Sequence, residues 1–316
     1  QLAQSESVGR GIFLMAPGLV LFSVNKVLMS ILNGKRHMVA FALGQSLRAV
    51  CILLVSVIIV FYNWHSYNFG ISFTAAEIVL LCFLIVIVKP VQFQSVQVRK
   101  AIEWLVRHIA FGSQALVHGF LAEAFLRIDI IMLGIFVSDR QVGVYSFISM
   151  LVEGTYQVSI VVRTIANPIL VRLLLLRDKR SLSKFSRKTA LLSFLATTAM
   201  SGAVLLIFPY LILLFPEELS ASSYTILLIL MGGLIVYSAF VPFDNILLDA
   251  GLPGKQSMFM AINTMINVLL NFLLIPRFGL LGACTATTIS FLLSCLNLNA
   301  FASHLLGLRG GILLAR

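Results

Sequence analysis

Charge is scarce in this sequence. Only 11% of the 316 residues are Asp, Glu, Lys or Arg, and just twelve of those are acidic. With 59% hydrophobic residues and a mean hydropathy of +1.02, the chain has too little polar surface for a water-soluble globular domain. Strict apolar–polar alternation is also lacking. Apolar runs continue for about twenty residues, which excludes a transmembrane β-barrel and points to membrane-spanning helices. Cysteine is rare and isolated (Cys51, Cys82, Cys284 and Cys295), without metal-ligand spacing, so these read as small core residues. The five histidines (His37, His65, His108, His118, His304) are scattered. No Walker A loop, HExxH, GxSxG or Asp-x-Asp pair is present, and catalytic classes that depend on them are excluded. Cofactors are not called for.

The hydrophobic runs predict nine transmembrane helices: 11–32, 38–62, 71–89, 109–137, 143–171, 188–216, 222–248, 256–276 and 280–305, at about 20 residues per span. Between the third and fourth, Val98–His108 (VRKAIEWLVRH) reads as a short interfacial amphipathic helix. The formal charge of +11 does not mark a nucleic-acid binder, because its basic residues sit in alternate short loops. One side holds sixteen: Lys35, Arg36, Lys89, Arg99, Lys100, Arg107, Arg172, Arg177, Lys179, Arg180, Lys184, Arg187, Lys188, Lys255, Arg309 and Arg316. The other holds three: Arg10, Arg140 and Arg277. The rich side is therefore expected to be cytoplasmic, with a cytoplasmic C-terminus.

Two loops echo one another. Ile31-Leu-Asn-Gly-Lys35 and Asp249-Ala-Gly-Leu-Pro-Gly-Lys255 follow the first and seventh predicted helices, six helices apart, as two six-helix halves would place them. On that pattern residues 1–108 form the last three helices of a first lobe plus a cytoplasmic linker, and 109–316 form a complete second lobe. The chain opens at Gln1 without an initiator Met, and Gln1–Arg10 leads straight into a span; about three preceding helices are the expectation.

Ionisable residues inside spans cost roughly 2.5–3.5 kcal/mol each on insertion scales, so they face a partner or a water-filled cavity. Lys26, Arg48 and Arg163 each fall roughly 10–15 Å inside a cytoplasmic end, and Arg127 lies nearer the outer face. Together these cations are candidates for an anionic headgroup site, arginine being suited to bidentate phosphate contact. Snorkelling and local pairing are the alternative roles. The carboxylates Glu77, Glu123, Asp129, Glu153 and Asp244 are candidates to carry a coupling ion, or else to form ion pairs. Glu123 and Arg127 stand i,i+4 in the favourable order for pairing. Asn263, Asn267 and Asn271 make an amide stripe, read either as helix–helix glue or as a sugar-facing surface. Pro17, Pro168, Pro209 and Pro242 mark possible bends.

Several stretches carry a resemblance: Leu126-Arg-Ile-Asp129-Ile-Ile-Met-Leu-Gly134, Val142-Gly-Val-Tyr-Ser146, Ala166-Asn-Pro168, Leu247–Lys255, Asn267-Val-Leu-Leu-Asn271, Ile275–Ala283 and Ser30-Ile-Leu-Asn-Gly34. In these the chain resembles the bacterial polysaccharide-unit (O-antigen type) flippases of the MATE-like exporter superfamily. The resemblance implies an all-α, two-lobed fold of twelve helices, of which nine are present. It implies translocation of an undecaprenyl-pyrophosphate-linked oligosaccharide across the bacterial cytoplasmic (inner) membrane, coupled to H+ or Na+, alongside polysaccharide polymerase and chain-length proteins. Of the family's motif positions, only Arg127 and Asp129 carry over. A multidrug or cation antiporter of the same fold is the second expectation and would favour acidic cavity residues. A membrane-embedded polymerase or glycosyltransferase is the third, and it would need an extramembrane loop or domain that is missing here.

Overall fold

The computed structural model describes residues 6–88, 98–212, 220–308 and 311–313. The fold is all-helical and polytopic. Lys89, Arg309 and Arg316 of the charge pattern, and the predicted connection at Pro216, lie outside the described residues. The chain divides into two compact units, Gln1–Gln97 and Val98–Arg316.

The first unit contains α1 (Glu6–Gly34), α2 (Met38–Phe61) and α3 (Phe69–Val88). Their apolar runs are almost uninterrupted, so the helices carry lipid-facing apolar surface all round. Val39, Leu53, Val60 and Phe61 are exposed, which in water would be a liability and in a bilayer is the required solvent match. What holds them together is close approach and polar contact. Gly18 admits Phe73 and Thr74 of α3 so closely that a Cβ would collide with them. Thr74 Oγ1 donates to the Leu14 carbonyl across 2.7 Å. Met29, Leu32, Leu80 and Leu84 are buried at the centre.

The second unit contains α4 (Val98–Phe136), α5 (Asp139–Leu175), α6 (Lys179–Ile212), α7 (Ser220–Ser238), a 3-10 turn Val241–Phe243, α8 (Ile246–Asp249) and α9 (Pro253–Leu306). At about 1.5 Å per residue α4 is about 58 Å long, roughly twice the hydrocarbon thickness. The stretch 98–108, read from sequence as a separate interfacial helix, is its continuous first portion. The expected span 222–248 is broken: α7 ends at Ser238, the turn containing Pro242 follows, and the chain bends by 51°. Proline removes a backbone donor there, and the Ser238 carbonyl takes the Ser193 hydroxyl instead. α9 is two helices, 253–278 and 280–306, folded back at Gly279, whose φ of 56° and ψ of −129° suit glycine alone. That fold-back brings Gly282 against the Leu274 carbonyl with no room for a Cβ.

Among the described residues, six helices are long and apolar enough to cross a membrane, or seven when the bent pair 223–238 and 241–249 counts as one span; the doubled-back α9 is one of them. α4 is not among these. The core of the unit holds Leu133, Tyr145, Ile148, Leu170, Phe208, Phe243, Phe259 and Phe291. α6 turns a buried stripe of Ser186, Ser193, Thr197 and Ser201 toward its neighbours. There Ser193 donates to the Ser238 carbonyl (2.6 Å), and Ser159 meets Thr197 at 2.8 Å.

Candidate functional site

The intramembrane charges fall into three groups. In the first unit, Arg48 on α2 pairs with Glu77 on α3, Nε to Oε1 at 2.8 Å, and a second guanidinium nitrogen donates to Oε2 at 3.2 Å. Asn25 on α1 donates to the same Oε2 (2.8 Å) and to the Glu77 carbonyl (2.9 Å). The Glu77 side chain is fully buried, that of Arg48 16% exposed. One carboxylate thereby ties all three helices, and a buried charge so satisfied is spent on structure. Arg48 and Lys26 both lie over the Phe22 ring, at 5.0 and 5.3 Å from its centroid. Lys26 is exposed. The structure therefore brings Lys26 and Arg48 together and commits Arg48 to Glu77.

In the second unit Arg127 stands on the exposed side of α4, its side chain 58% exposed. Glu153 on α5 reaches its Nη2 at 3.5 Å, and Glu123 its Nε at 3.9 Å. Such open pairs are worth little individually, so Arg127 is free to exchange partners. Two residues further along α4, Asp129 points inward and is 4% exposed. It accepts from Tyr145 Oη (2.6 Å), Thr287 Oγ1 (3.1 Å) and the Ile130 N–H (2.8 Å), joining α4, α5 and the second limb of α9. Asp129, Glu153, Ser149, Tyr156, Thr287 and Phe291 line a cavity of about 30 Å³, the size of one water or one ion. Ser149 Oγ is buried there without a hydrogen-bond partner among the described residues. The cavity thus collects two carboxylates and an unused hydroxyl beside an exposed guanidinium.

The third group surrounds the break after α7. Tyr237 Oη donates to Asp244 Oδ2 (2.8 Å), and Gln256 Nε2 donates to the Asp244 carbonyl (2.6 Å). Tyr237 stacks on Phe291 at 4.8 Å and on Tyr156 at 6.3 Å. Arg163 on α5 lies against Tyr156, and its charge reaches Asp244, Asp249 and His118. His118 Nε2 is 3.2 Å from Asn245 Oδ1. Arg163 thus has Asp244 and Asp249 within electrostatic reach at the bent span.

The asparagine stripe is buried at the seam of α9 with α4 and with its own second limb. Asn263 donates to Ser294 Oγ (3.0 Å), Asn267 to the Phe125 carbonyl (3.0 Å) and Asn271 to Asn267 Oδ1 (2.6 Å). Their amides face helices rather than open space.

Sequence reasoning gave no site role to Tyr145, Ser149, Thr287 or Tyr237, although Tyr145 lies in the Val142-Gly-Val-Tyr-Ser146 stretch. A hydroxyl inside an apolar run carries little charge signal, and only the juxtaposition with Asp129 and Asp244 gives these residues weight. Asn25 was missed for the same reason. Among the described residues no group of three or more His, Cys, Asp or Glu is placed to hold a metal.

No protein-family model matches the chain. It is 26% identical over 175 residues to the protein named "Probable low-salt glycan biosynthesis flippase Agl15" from Haloferax volcanii, an alignment covering 52% of this chain and 34% of that protein. The chain thus spans about a third of the relative's length. Its fold matches the solved structure "Lipid II flippase MurJ, inward closed conformation" with a TM-score of 0.62, at 14% identity, over 92% of this chain and 62% of that one. In architecture, then, this is a polytopic helical membrane protein with the fold of the MurJ flippase.

Proposed function

We propose that this chain forms part of a flippase that moves an undecaprenyl-pyrophosphate-linked oligosaccharide across the cytoplasmic membrane by alternating access, in the service of polysaccharide assembly. The orientation is the one the charge bias favours, basic loops and C-terminus in the cytoplasm. The observation that carries this reading is Arg127, held loosely by Glu123 and by Glu153, which with Asp129 lines a small cavity. A pyrophosphate competes for the guanidinium with two bidentate-capable oxygens and higher charge. While Arg127 holds the phosphate, Glu153 is without its cation. After the phosphate leaves on the far side, Glu153, Asp129 and Ser149 take up H+ or Na+ there in the small cavity. Return of Arg127 to Glu153 at the cytoplasmic face expels it. Within the first unit, Lys26, exposed on α1 beside Arg48, is a separate candidate cation for an anionic group. The glycan-flippase naming of the relative and the MurJ-like fold support the same substrate class.

A second reading has one specific observation in its favour. Two carboxylates, Asp129 and Glu153, line one cavity, as a drug or cation antiporter of this fold would require.

The test is rescue of surface polysaccharide in a bacterial strain lacking its own flippase, with the parent and Arg127→Ala compared at equal membrane levels. Rescue by the parent, with lipid-linked intermediate accumulating in Arg127→Ala, is the expected result. Cation-dependent drug efflux by a parent that restores no glycan in a panel of repeat-unit strains would replace this function with the second reading.

A further inference from the structure

At one end of the second unit, the turn between α5 and α6, the link between α8 and α9 and the end of α9 enclose a cavity of about 590 Å³. It is separate from the cavity at Asp129, shares no lining residue with it, and plays no part in the transport cycle above. Its volume falls within the range of small-molecule sites. The walls are mostly leucine, including Leu174, Leu182, Leu252 and Leu305, and the charged residues on them are Arg177, Lys179 and Asp249.

The local chain positions these charges. Arg177 has φ of 52°, a left-handed conformation that reverses the chain after α5. Asp178 Oδ1 accepts the Ser181 N–H at 3.0 Å and starts α6, so that Lys179 falls in the first turn. Lys179 Nζ donates to the Gly307 carbonyl at 2.9 Å, drawing the end of α9 onto the same rim. Asp249, within reach of the Arg163 charge, keeps its Oδ2 buried with no hydrogen-bond partner among the described residues. A buried carboxylate oxygen without a donor is unfavourable, and a bound N–H or O–H group would satisfy it.

A leucine wall, two cations and an acceptor in want of a donor match the three parts of a phospholipid. We propose that this cavity binds a membrane phospholipid, with its apolar portion along the leucines, its phosphate at Arg177 and Lys179, and the ammonium or hydroxyl of its headgroup donating to Asp249. The site does not depend on what the protein transports, so its test is a binding measurement.

The purified protein in neutral detergent is exposed to photoactivatable phosphatidylethanolamine, phosphatidylcholine or diacylglycerol, and the labelled peptides are mapped by mass spectrometry. The expected label falls on 173–182, 249–252 and 305–308, strongest for phosphatidylethanolamine, weaker for phosphatidylcholine (whose quaternary ammonium has no N–H) and weakest for diacylglycerol. The Arg177→Gln/Lys179→Gln pair lowers labelling about tenfold, the loss of one or two charge-assisted bonds. Asp249→Leu lowers phosphatidylethanolamine to the level of phosphatidylcholine. Equal labelling by diacylglycerol in the parent overturns the phosphate site without any variant. Displacement of the lipid by an equal concentration of inorganic phosphate overturns the requirement for an amphiphile, and label confined to other peptides overturns the location.

Discussion

Tyr145 donates its hydroxyl to Asp129 Oδ2 across 2.6 Å, fixing the one fully inward carboxylate of α4 to the helix that also carries Glu153. This bond separates two roles for Asp129. Tyr145→Phe removes a donor but not the carboxylate, and interhelical bonds in membranes average about 0.6 kcal/mol with a maximum near 1.7. Thermal unfolding in detergent should therefore shift modestly. Asp129→Asn keeps an acceptor for Tyr145 and Thr287 while removing the charge, so unfolding should change little and ion-coupled transport should be lost. Full transport by Asp129→Asn would remove Asp129 from the coupling site.

Arg48 and Glu77 should behave as a structural pair. Arg48→Ala leaves a fully buried carboxylate with only Asn25 as side-chain donor, a loss of about 3–5 kcal/mol for a broken buried pair. The variant should express poorly or unfold at a visibly lower temperature. An Arg48→Met/Glu77→Met double variant should recover most of that loss and retain transport. If the double variant folds but does not transport, Arg48 is a substrate contact after all.

Gly279 is the hinge on which α9 doubles back. At φ 56° and ψ −129° a β-carbon costs of order 1–3 kcal/mol, so Gly279→Ala should lower stability by about that amount in a melting experiment. Gly202, with nothing within 4 Å of a β-carbon, is the control: Gly202→Ala in the middle of α6 should be neutral or mildly stabilising.

Much of the fold was legible in hydropathy. The run 38–62 became Met38–Phe61, and the gap left at Arg277-Phe-Gly279 is where α9 turns. Two features escaped. VRKAIEWLVRH looked separable from the span that follows because charge dilutes its hydropathy, yet nothing in it breaks a helix, and α4 runs through it. The run 222–248 looked continuous because proline, here Pro242, is common in membrane helices; no local pattern reveals that Ser193, Tyr237 and Gln256 meet the chain at the break. Arg127 and Asp129 stood out in the sequence as ionisable residues inside a span, but which of the two turns inward is decided by packing. Depth did not reveal that Glu77 holds Arg48, or that Arg163 sits among Asp244, Asp249 and His118, because pairing across helices is decided by packing. The asparagine stripe showed the same limit: i,i+4 spacing marks a common face but not what that face meets.

Exchange of Arg127 between carboxylate and phosphate is the centre of the account, and flipping in proteoliposomes tests it most directly. The full-length protein is reconstituted with a fluorescent undecaprenyl-pyrophosphate oligosaccharide, and the outward-facing fraction is read by a membrane-impermeant quencher under an imposed H+ or Na+ gradient. The account predicts gradient-dependent flipping by the parent. Arg127→Ala should reduce the rate at least about tenfold, since a charge-assisted bond contributes about 1.5–3 kcal/mol, and Arg127→Lys should recover part of it. Flipping by Arg127→Ala at the parental rate would contradict the account.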